Sequence, residues 1–268
     1  MITPALRLAA NLKWLFTELS FERRFDAAAE EGFAGVELPD PYAYTAVQVR
    51  TMLHTAGLDA VLLNTPQGAA GSRTASGMAC LPDLVEEFQE GVERGLEYAT
   101  ELGAGLLHIV GGRRPEGLSR DEAIAQYVRN IAWAADRAQG TNVRLVLEMQ
   151  NRRNAPRFVL ESQAMASAVA MAVGPTVGLL FDIFHTQVQE GDIIKNLDRF
   201  LPQTSHIQIG DAPQRSEPGS GELAWPFIIE HINRFGYTGW IGCEFEPTGT
   251  SAGVLTRLSQ VMRYDWRA

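Results

Sequence analysis

The sequence predicts a single (β/α)8 TIM barrel, an α/β fold spanning residues 1–268 as one catalytic domain. Short apolar runs alternate strictly with longer amphipathic runs, the pattern of parallel strands each followed by a covering helix. Eight such units fit into 268 residues, and barrels of this type run to about 250 residues. No Gly-x-Gly-x-x-Gly follows the first strand, which removes the main reason to prefer a doubly wound dinucleotide fold.

Element by element, residues 6–12 read as the first strand, and 21–31 as a helix stopped by Gly32. A short strand at 35–38 precedes a helix at 45–55, closed by Gly57, and a third strand at 58–63. The next helix, 82–102, ends at Gly103, before a strand at 106–110. Ser119 followed by Glu122 is a capping box that starts the helix 119–139. Strands at 144–148, 177–181, 205–209 and 240–244 then alternate with helices at 161–173, 193–200, 225–235 and 252–263. The longest irregular stretch, 64–81, is rich in Gly, Ala and Ser. It reads either as a lid over the site or as a plain surface excursion. No low-complexity linker divides the chain.

Composition narrows the function. A net charge of −9 opposes binding to a nucleic-acid backbone or an anionic membrane surface. No apolar run approaches the roughly 20 residues of a membrane span. The N-terminus shows no secretory leader, so a cytoplasmic location is expected. The two cysteines, Cys80 and Cys243, cannot form a Cys-x-x-Cys site and read as reduced thiols, with a disulfide between them left open. Self-association into a homo-oligomer is also left open.

In a parallel barrel the strands are buried on both faces, and active sites form where strands run into βα loops. Four late strands end in, or carry, a polar side chain: Glu148, Asp182, Gln208 and Glu244. Strand alternation sharpens the reading. If Gln208 faces the axis, so does His206, while Ile207 and Ile209 face the helices. If Glu244 faces in, Cys243 points out. Three carboxylates and an amide oxygen at one mouth need a counter-charge, and one divalent cation, Mg2+ or Mn2+, suits such oxygen donors. His185, three residues past Asp182, and Arg215 are candidate contacts to a small hydroxy-carbonyl acid or sugar. His206 reads as a core histidine. His54 and His231 fall on helices and read as solvated.

Several segments resemble the hydroxypyruvate isomerase family, within the wider group of xylose isomerase-like TIM barrels. They are ANLKWLFTEL from Ala10, GVE from Gly35, GMACLP from Gly77, FDIFH from Phe181 with Gln187, and EGD from Glu190. The most specific is HIQIGDAP from His206, followed by Arg215 and EPGSGE from Glu217; GWIGCEF from Gly239 is the last. The resemblance implies that Glu148, Asp182, Gln208 and Glu244 ligate the metal, and that Glu148 and Glu244 are the catalytic proton-transfer pair. It implies substrate contacts at His185, Arg215 and Glu217, and lining roles for His108 and Glu37. One departure stands out: after the fifth strand the family pattern Glu-Pro-x-Asn-x-Arg-x-x-Pro-Gly-Tyr has Met149, Arg157 and Phe158 in place of its first Pro, its Gly and its Tyr. Leu38 to Tyr42 also departs from the usual run.

The resulting expectation is a metal-assisted isomerase that interconverts hydroxypyruvate and 2-hydroxy-3-oxopropanoate (tartronate semialdehyde), within glyoxylate and carbohydrate metabolism. The nearest alternatives are a 2-oxo-tetronate isomerase and a ketose 3-epimerase, which would use the same metal and glutamates. A barrel-type metal-dependent endonuclease is a more remote reading, since it would need several zinc-binding histidines. A barrel that only binds a metabolite has no reason to keep four ligand positions. A phosphorylated substrate is disfavoured by the lack of a Gly-rich phosphate cradle after strand seven or eight.

Overall fold

The computed structural model describes residues 6–264 and Trp266. The reading of the N-terminus rests partly on residues 1–5, which lie outside that range. Eight parallel strands close into a barrel in sequence order: β1 (Arg7–Asn11), β2 (Gly35–Leu38), β3 (Asp59–Asn64), β4 (Leu106–His108), β5 (Arg144–Glu148), β6 (Val177–Asp182), β7 (Thr204–Ile209) and β8 (Trp240–Cys243). Closure comes from β8 pairing with β1, with Arg7 opposite Trp240 and Ala10 opposite Cys243.

Helices α1 (Phe21–Glu30), α2 (Ala46–Ala56), α3 (Val85–Leu102), α4 (Arg120–Ala138) and α5 (Gln163–Val173) follow the first five strands. The predicted capping box is present: Ser119 caps α4 and the Glu122 side chain reaches back to it. Thr45 and Gln48 form a second box at the start of α2. The later helices are α6 (Ile183–Gln189), α7 (Ile193–Phe200), α8 (Trp225–Phe235) and α9 (Ser251–Met262).

Several boundaries differ from expectation. An extra helix, α6, follows β6 directly, and β6 runs one residue further, through Asp182. The reason is local: the Asp182 carboxylate accepts from the His185 N–H at 2.9 Å and caps the helix. With no Gly or Pro between strand and helix, nothing in the sequence marks the switch. Strand β8 ends at Cys243, so Glu244 is the first loop residue. Helix α3 starts at Val85 rather than at residue 82.

The alternation of side chains is as expected. Leu145, Leu147, Ile207, Ile209 and Cys243 belong to the large core between strands and helices. A small apolar cluster of Ala9, Val61, Leu62, Val146 and Leu180 fills the barrel interior. The interior also buries the polar side chains of Asn11, Glu37 and His206, none of them exposed. A polar interior beneath the strand ends is costly where a group lacks a partner: Glu37 bonds both Asn11 and His206, while His206 Nδ1 has none. Both cysteines are free and buried. Burial pushes the Cys80 thiol up to about 12 and Cys243 well above its usual value, so neither is a reactive thiolate. Among the described residues, no helix is long and apolar enough to cross a membrane.

Candidate active site

A cavity of about 160 Å³ opens among the C-terminal strand ends; its lining includes Glu148, Gln208, Arg215 and Glu244. At roughly 30 Å³ per water it holds about five waters, well below the 300 Å³ at which drug-sized pockets begin. A larger groove of about 830 Å³ lies between α2 and α3 on the outer wall. Two of its acids are already matched, Glu93 by Arg137 and Glu101 by Arg50, and none of its lining residues belongs to a strand.

The carboxylates arrive from three directions. Glu148 ends β5, and its Oε2 accepts from Gln150 Nε2 at 2.7 Å. Asp182 ends β6 and is 1% exposed. Glu244 Oε1 accepts from Trp14 Nε1 at 3.2 Å and Asn11 Nδ2 at 3.3 Å. Burial raises the pKa of all three. For Glu148, Asp182 and Glu244 add to the effect of burial, and the group sits well above the carboxylate range. For Glu244 the result is about 7, with Arg215 opposing burial.

Arg215 is the counter-charge. Its Nη2 donates to Asp182 Oδ2 at 2.9 Å and to Glu244 Oε2 at 2.7 Å. The guanidinium lies over the rings of Trp14 and Phe184, at 4.8 and 5.2 Å from their centroids. Its backbone is left-handed, with φ of 61°, a conformation that costs a non-glycine residue about 1–2 kcal/mol. The surrounding loop enforces it: Arg215 N–H donates to Asp211 O, and Glu246 N–H to Arg215 O, both at 2.8 Å.

Asp211 explains much of the HIQIGDAP–EPGSGE string. Its carboxylate accepts from the N–H groups of Gly219, Gly221 and Leu223 and from Trp225 Nε1, at 2.8–3.2 Å. A side chain at Gly221 would meet Ala212 O at 1.9 Å. The glycine-rich run is therefore a clasp closed on the chain's own aspartate, with those amides unavailable to a phosphate.

His185 faces the carboxylates. Its Nε2 lies 3.9 Å from both Glu148 Oε1 and Asp182 Oδ2. Ligand atoms of Glu148, Asp182 and His185 all lie within 4.8 Å of one another, close enough to share a metal ion. The other ring nitrogen decides how the histidine takes part. Nδ1 accepts from the Asn151 backbone N–H at 3.1 Å, and the Asn151 amide is 2.7 Å away. Burial, and then Arg215, push its pKa well down, so the ring is neutral. A neutral ring that accepts at Nδ1 carries its proton on Nε2. His185 thus presents an N–H donor toward Glu148 and Asp182, and of the three clustered groups the two carboxylates are the natural ligands.

His108 also lines the cavity, and its Nε2 has no hydrogen-bond partner though the residue is only 3% exposed. Burial, and then His206, lower its pKa to about 3, so it too is neutral. Glu217 is not brought to this cavity. Its carboxylate accepts from Thr248 N–H at 3.0 Å and Thr248 Oγ1 at 2.6 Å, and it lines a separate hollow beside α9. His206 is fully buried and pairs with Glu37, which sits inside the barrel rather than lining its mouth. His54 is exposed, whereas His231 is bonded to Asp198 at 2.9 Å.

Sequence reasoning missed Lys13, Trp14, Gln150 and Asn151. The first three line the cavity and Asn151 holds His185. Lys13 and Trp14 stand in ANLKWLFTEL, and the first strand's end was a signal available for them. In the departing segment after β5, Arg157 takes the pattern's Gly position with φ of 63°. A left-handed backbone is why a glycine suits that place. Met149 and Phe158 are buried, with Phe158 against Gly111. The 64–81 stretch forms one wall of the cavity through Gln67, Ala75 and Ser76. It is anchored at Gly77, where a Cβ would meet Val110 O at 2.1 Å and φ is 88°.

Comparison with known proteins agrees with this geometry. The xylose isomerase-like TIM barrel family matches residues 25–262. The chain is 39% identical to the 2-oxo-tetronate isomerase of Cupriavidus necator, covering 92% of this chain and 96% of that one. It is 36% identical to the hydroxypyruvate isomerase of Escherichia coli, covering 93% and 97%. A Brucella melitensis crystal structure described as an AP endonuclease of family 2 superposes with a TM-score of 0.90 at 35% identity, covering 95% and 98%. The chain belongs to the xylose isomerase-like TIM-barrel family, shares its full barrel with hydroxypyruvate and 2-oxo-tetronate isomerases, and is an enzyme of isomerase type.

Proposed function

We propose that the chain is a divalent-metal-dependent isomerase of small 2-oxo acids with a hydroxyl beside the carbonyl, interconverting hydroxypyruvate and 2-hydroxy-3-oxopropanoate. The observation that carries this reading is the clustering of three carboxylates around Arg215: Glu148 and the half-buried Glu244 line a cavity of about 160 Å³ with Arg215, and buried Asp182 and the neutral His185 lie directly behind them. The donor chemistry suits a metal: three carboxylates face a single guanidinium, and their raised pKa values mean that it does not balance them. Glu148, Asp182, Gln208 and Glu244 would hold the ion, Mg2+ or Mn2+ by their oxygen donors. When bound, it supplies Lewis acidity toward neighbouring substrate oxygens.

The protein's own residues account for the rest. Glu148 and Glu244 leave strands five and eight, so they flank a substrate in the mouth from two sides. One removes the proton from the hydroxyl-bearing carbon to give an enediolate, the hydroxyl proton passes to the neighbouring oxygen, and the other glutamate returns a proton to the former carbonyl carbon. The His185 Nε2–H donates to a substrate oxygen as negative charge gathers there. Arg215 stays on Asp182 and Glu244, so it sets their charge and orientation. Lys13, exposed at the rim, is the cation available to the substrate carboxylate.

A 2-oxo-tetronate substrate is the second reading, favoured by the 39% identity to that isomerase. An endonuclease reading is opposed by the cavity's size, its acidic lining and the net charge of −9. The test is an NMR time course in D2O with hydroxypyruvate and with 2-oxo-tetronate, run with Mg2+ or Mn2+ and then with chelator. Conversion of one acid with deuterium at the carbon that gains the proton, lost on chelation, supports the proposal. Absence of conversion and exchange with both acids refutes it.

A further inference from the structure

Glu37 stands apart from the mechanism above, yet it is the most heavily bonded acid inside the barrel. It is unexposed, and its Oε1 pairs with His206 Nε2. Its Oε2 accepts from Asn11 Nδ2 at 2.6 Å and from Gln208 Nε2 at 2.9 Å. The barrel is shaped around it: a Cβ at Gly242 would lie 1.7 Å from Glu37 Oε1. This accounts for a glycine two residues before Glu244.

The Gln208 side chain reaches from this network into the cavity. Its amide has two chemically opposite ends, and a cation accepts only the oxygen. Here the NH2 end donates to Glu37 Oε2, so the amide has spent that end on the carboxylate. The carbonyl oxygen is then turned to the other side, toward the cavity. Without the carboxylate, the amide is free to rotate by half a turn and offer two donors to a positive ion.

We infer that Glu37 is a positioning residue: through its hydrogen bond to Gln208 it fixes the amide with the carbonyl oxygen facing the divalent cation. Asn11 extends the same control, because its Nδ2 touches both Glu37 and Glu244. This inference rests on Gln208 being a metal ligand, as proposed above. Outer-shell partners of this kind change metal affinity by roughly 10- to 100-fold.

The experiment is Mn2+ binding to chelator-stripped, full-length protein, followed by calorimetry and by the Mn2+ paramagnetic resonance signal. The proteins compared are wild type, Glu37→Leu, Gln208→Ala and the double variant. The expected result is a loss of about 10- to 100-fold for Glu37→Leu and a comparable loss for Gln208→Ala. The double variant should be no weaker than Gln208→Ala alone, because Glu37 acts through that amide. Wild-type affinity in Glu37→Leu, with Gln208→Ala impaired, overturns the inference and leaves the ligand assignment standing. Additive losses in the double variant also overturn it, by showing that Glu37 acts through the fold. Unchanged binding in Gln208→Ala removes the ligand assignment and the inference together. If Glu37→Leu fails to fold, the wild-type protein still decides the matter by 15N NMR of its glutamine side chains. The NH2 signals that vanish in Gln208→Ala should be protected from exchange with and without Mg2+, and rapid exchange would overturn the inference.

Discussion

The backbone N–H of Asn151 donates to Nδ1 of His185 at 3.1 Å. This bond selects the tautomer with the proton on Nε2, and burial keeps the ring neutral. Nitrogen-15 spectra of the metal-free protein should therefore show a neutral His185, protonated at Nε2, at pH values well below those at which an ordinary imidazole takes up its second proton. A ring that gains a second proton near the ordinary value of about 6.5 would contradict it. Replacing His185 by Ala should lower kcat/KM by about 100-fold or more, with some loss of thermal stability because the buried Asn151 N–H loses its acceptor.

Glu148→Gln and Glu244→Gln keep the shape of each side chain and remove its capacity to take a proton. Each is expected to reduce turnover by at least about 10³-fold. Deuterium exchange into substrate gives the sharper readout. Rates like those of wild type in either variant would remove that glutamate from the proton-transfer pair.

Arg215 holds two carboxylates with one Nη2 and is stacked on two rings, so Lys is not an equivalent replacement. Arg215→Lys is expected to lose about 100-fold in kcat/KM, with the main change in kcat. A change confined to KM would mean that Arg215 contacts substrate directly and does not organise the acids.

Burial pushes the Glu244 carboxyl up to about 7 from an ordinary 4.5. A raised folded-state value means that the group's contribution to stability is fully present below the unfolded value. It is lost as the pH rises through the folded value. Glu244→Gln has nothing to ionise there. In the absence of metal, the variant should therefore gain stability relative to wild type between about pH 5 and about pH 8. Denaturant unfolding of both proteins at the two pH values measures this, and an unchanged difference would contradict it.

Asp211 accepts four hydrogen bonds inside the loop that presents Arg215. Asp211→Ala leaves those donors without their shared acceptor, at about 1–3 kcal/mol for each one that stays buried. A loss of stability of about 2–4 kcal/mol is expected, together with weakened activity. A variant with unchanged stability and unchanged kcat/KM would refute the clasp.

The barrel was legible because its cause is local and repetitive. Apolar strands with period-two alternation and amphipathic helices with capping residues recur eight times, and the two core layers fell where alternation placed them. The strand-end acids Glu148, Asp182 and Glu244 were legible for the same reason, since a charge closing a buried apolar strand is costly and breaks the pattern around it. Helix α6 was not, because its start depends on one aspartate side chain turning back onto the backbone. The placement of Glu217 on Thr248, away from the cavity, was set by a loop whose path no periodicity encodes. The pairing of Arg215 with Asp182 and Glu244 joins residues 33 and 29 positions apart. The contact of Glu37 with Gln208 spans 171 positions. Sequence alone determined which strand ends carry charge. Closure of the barrel decided which charges meet, because contacts across its axis join strands that are distant in the chain.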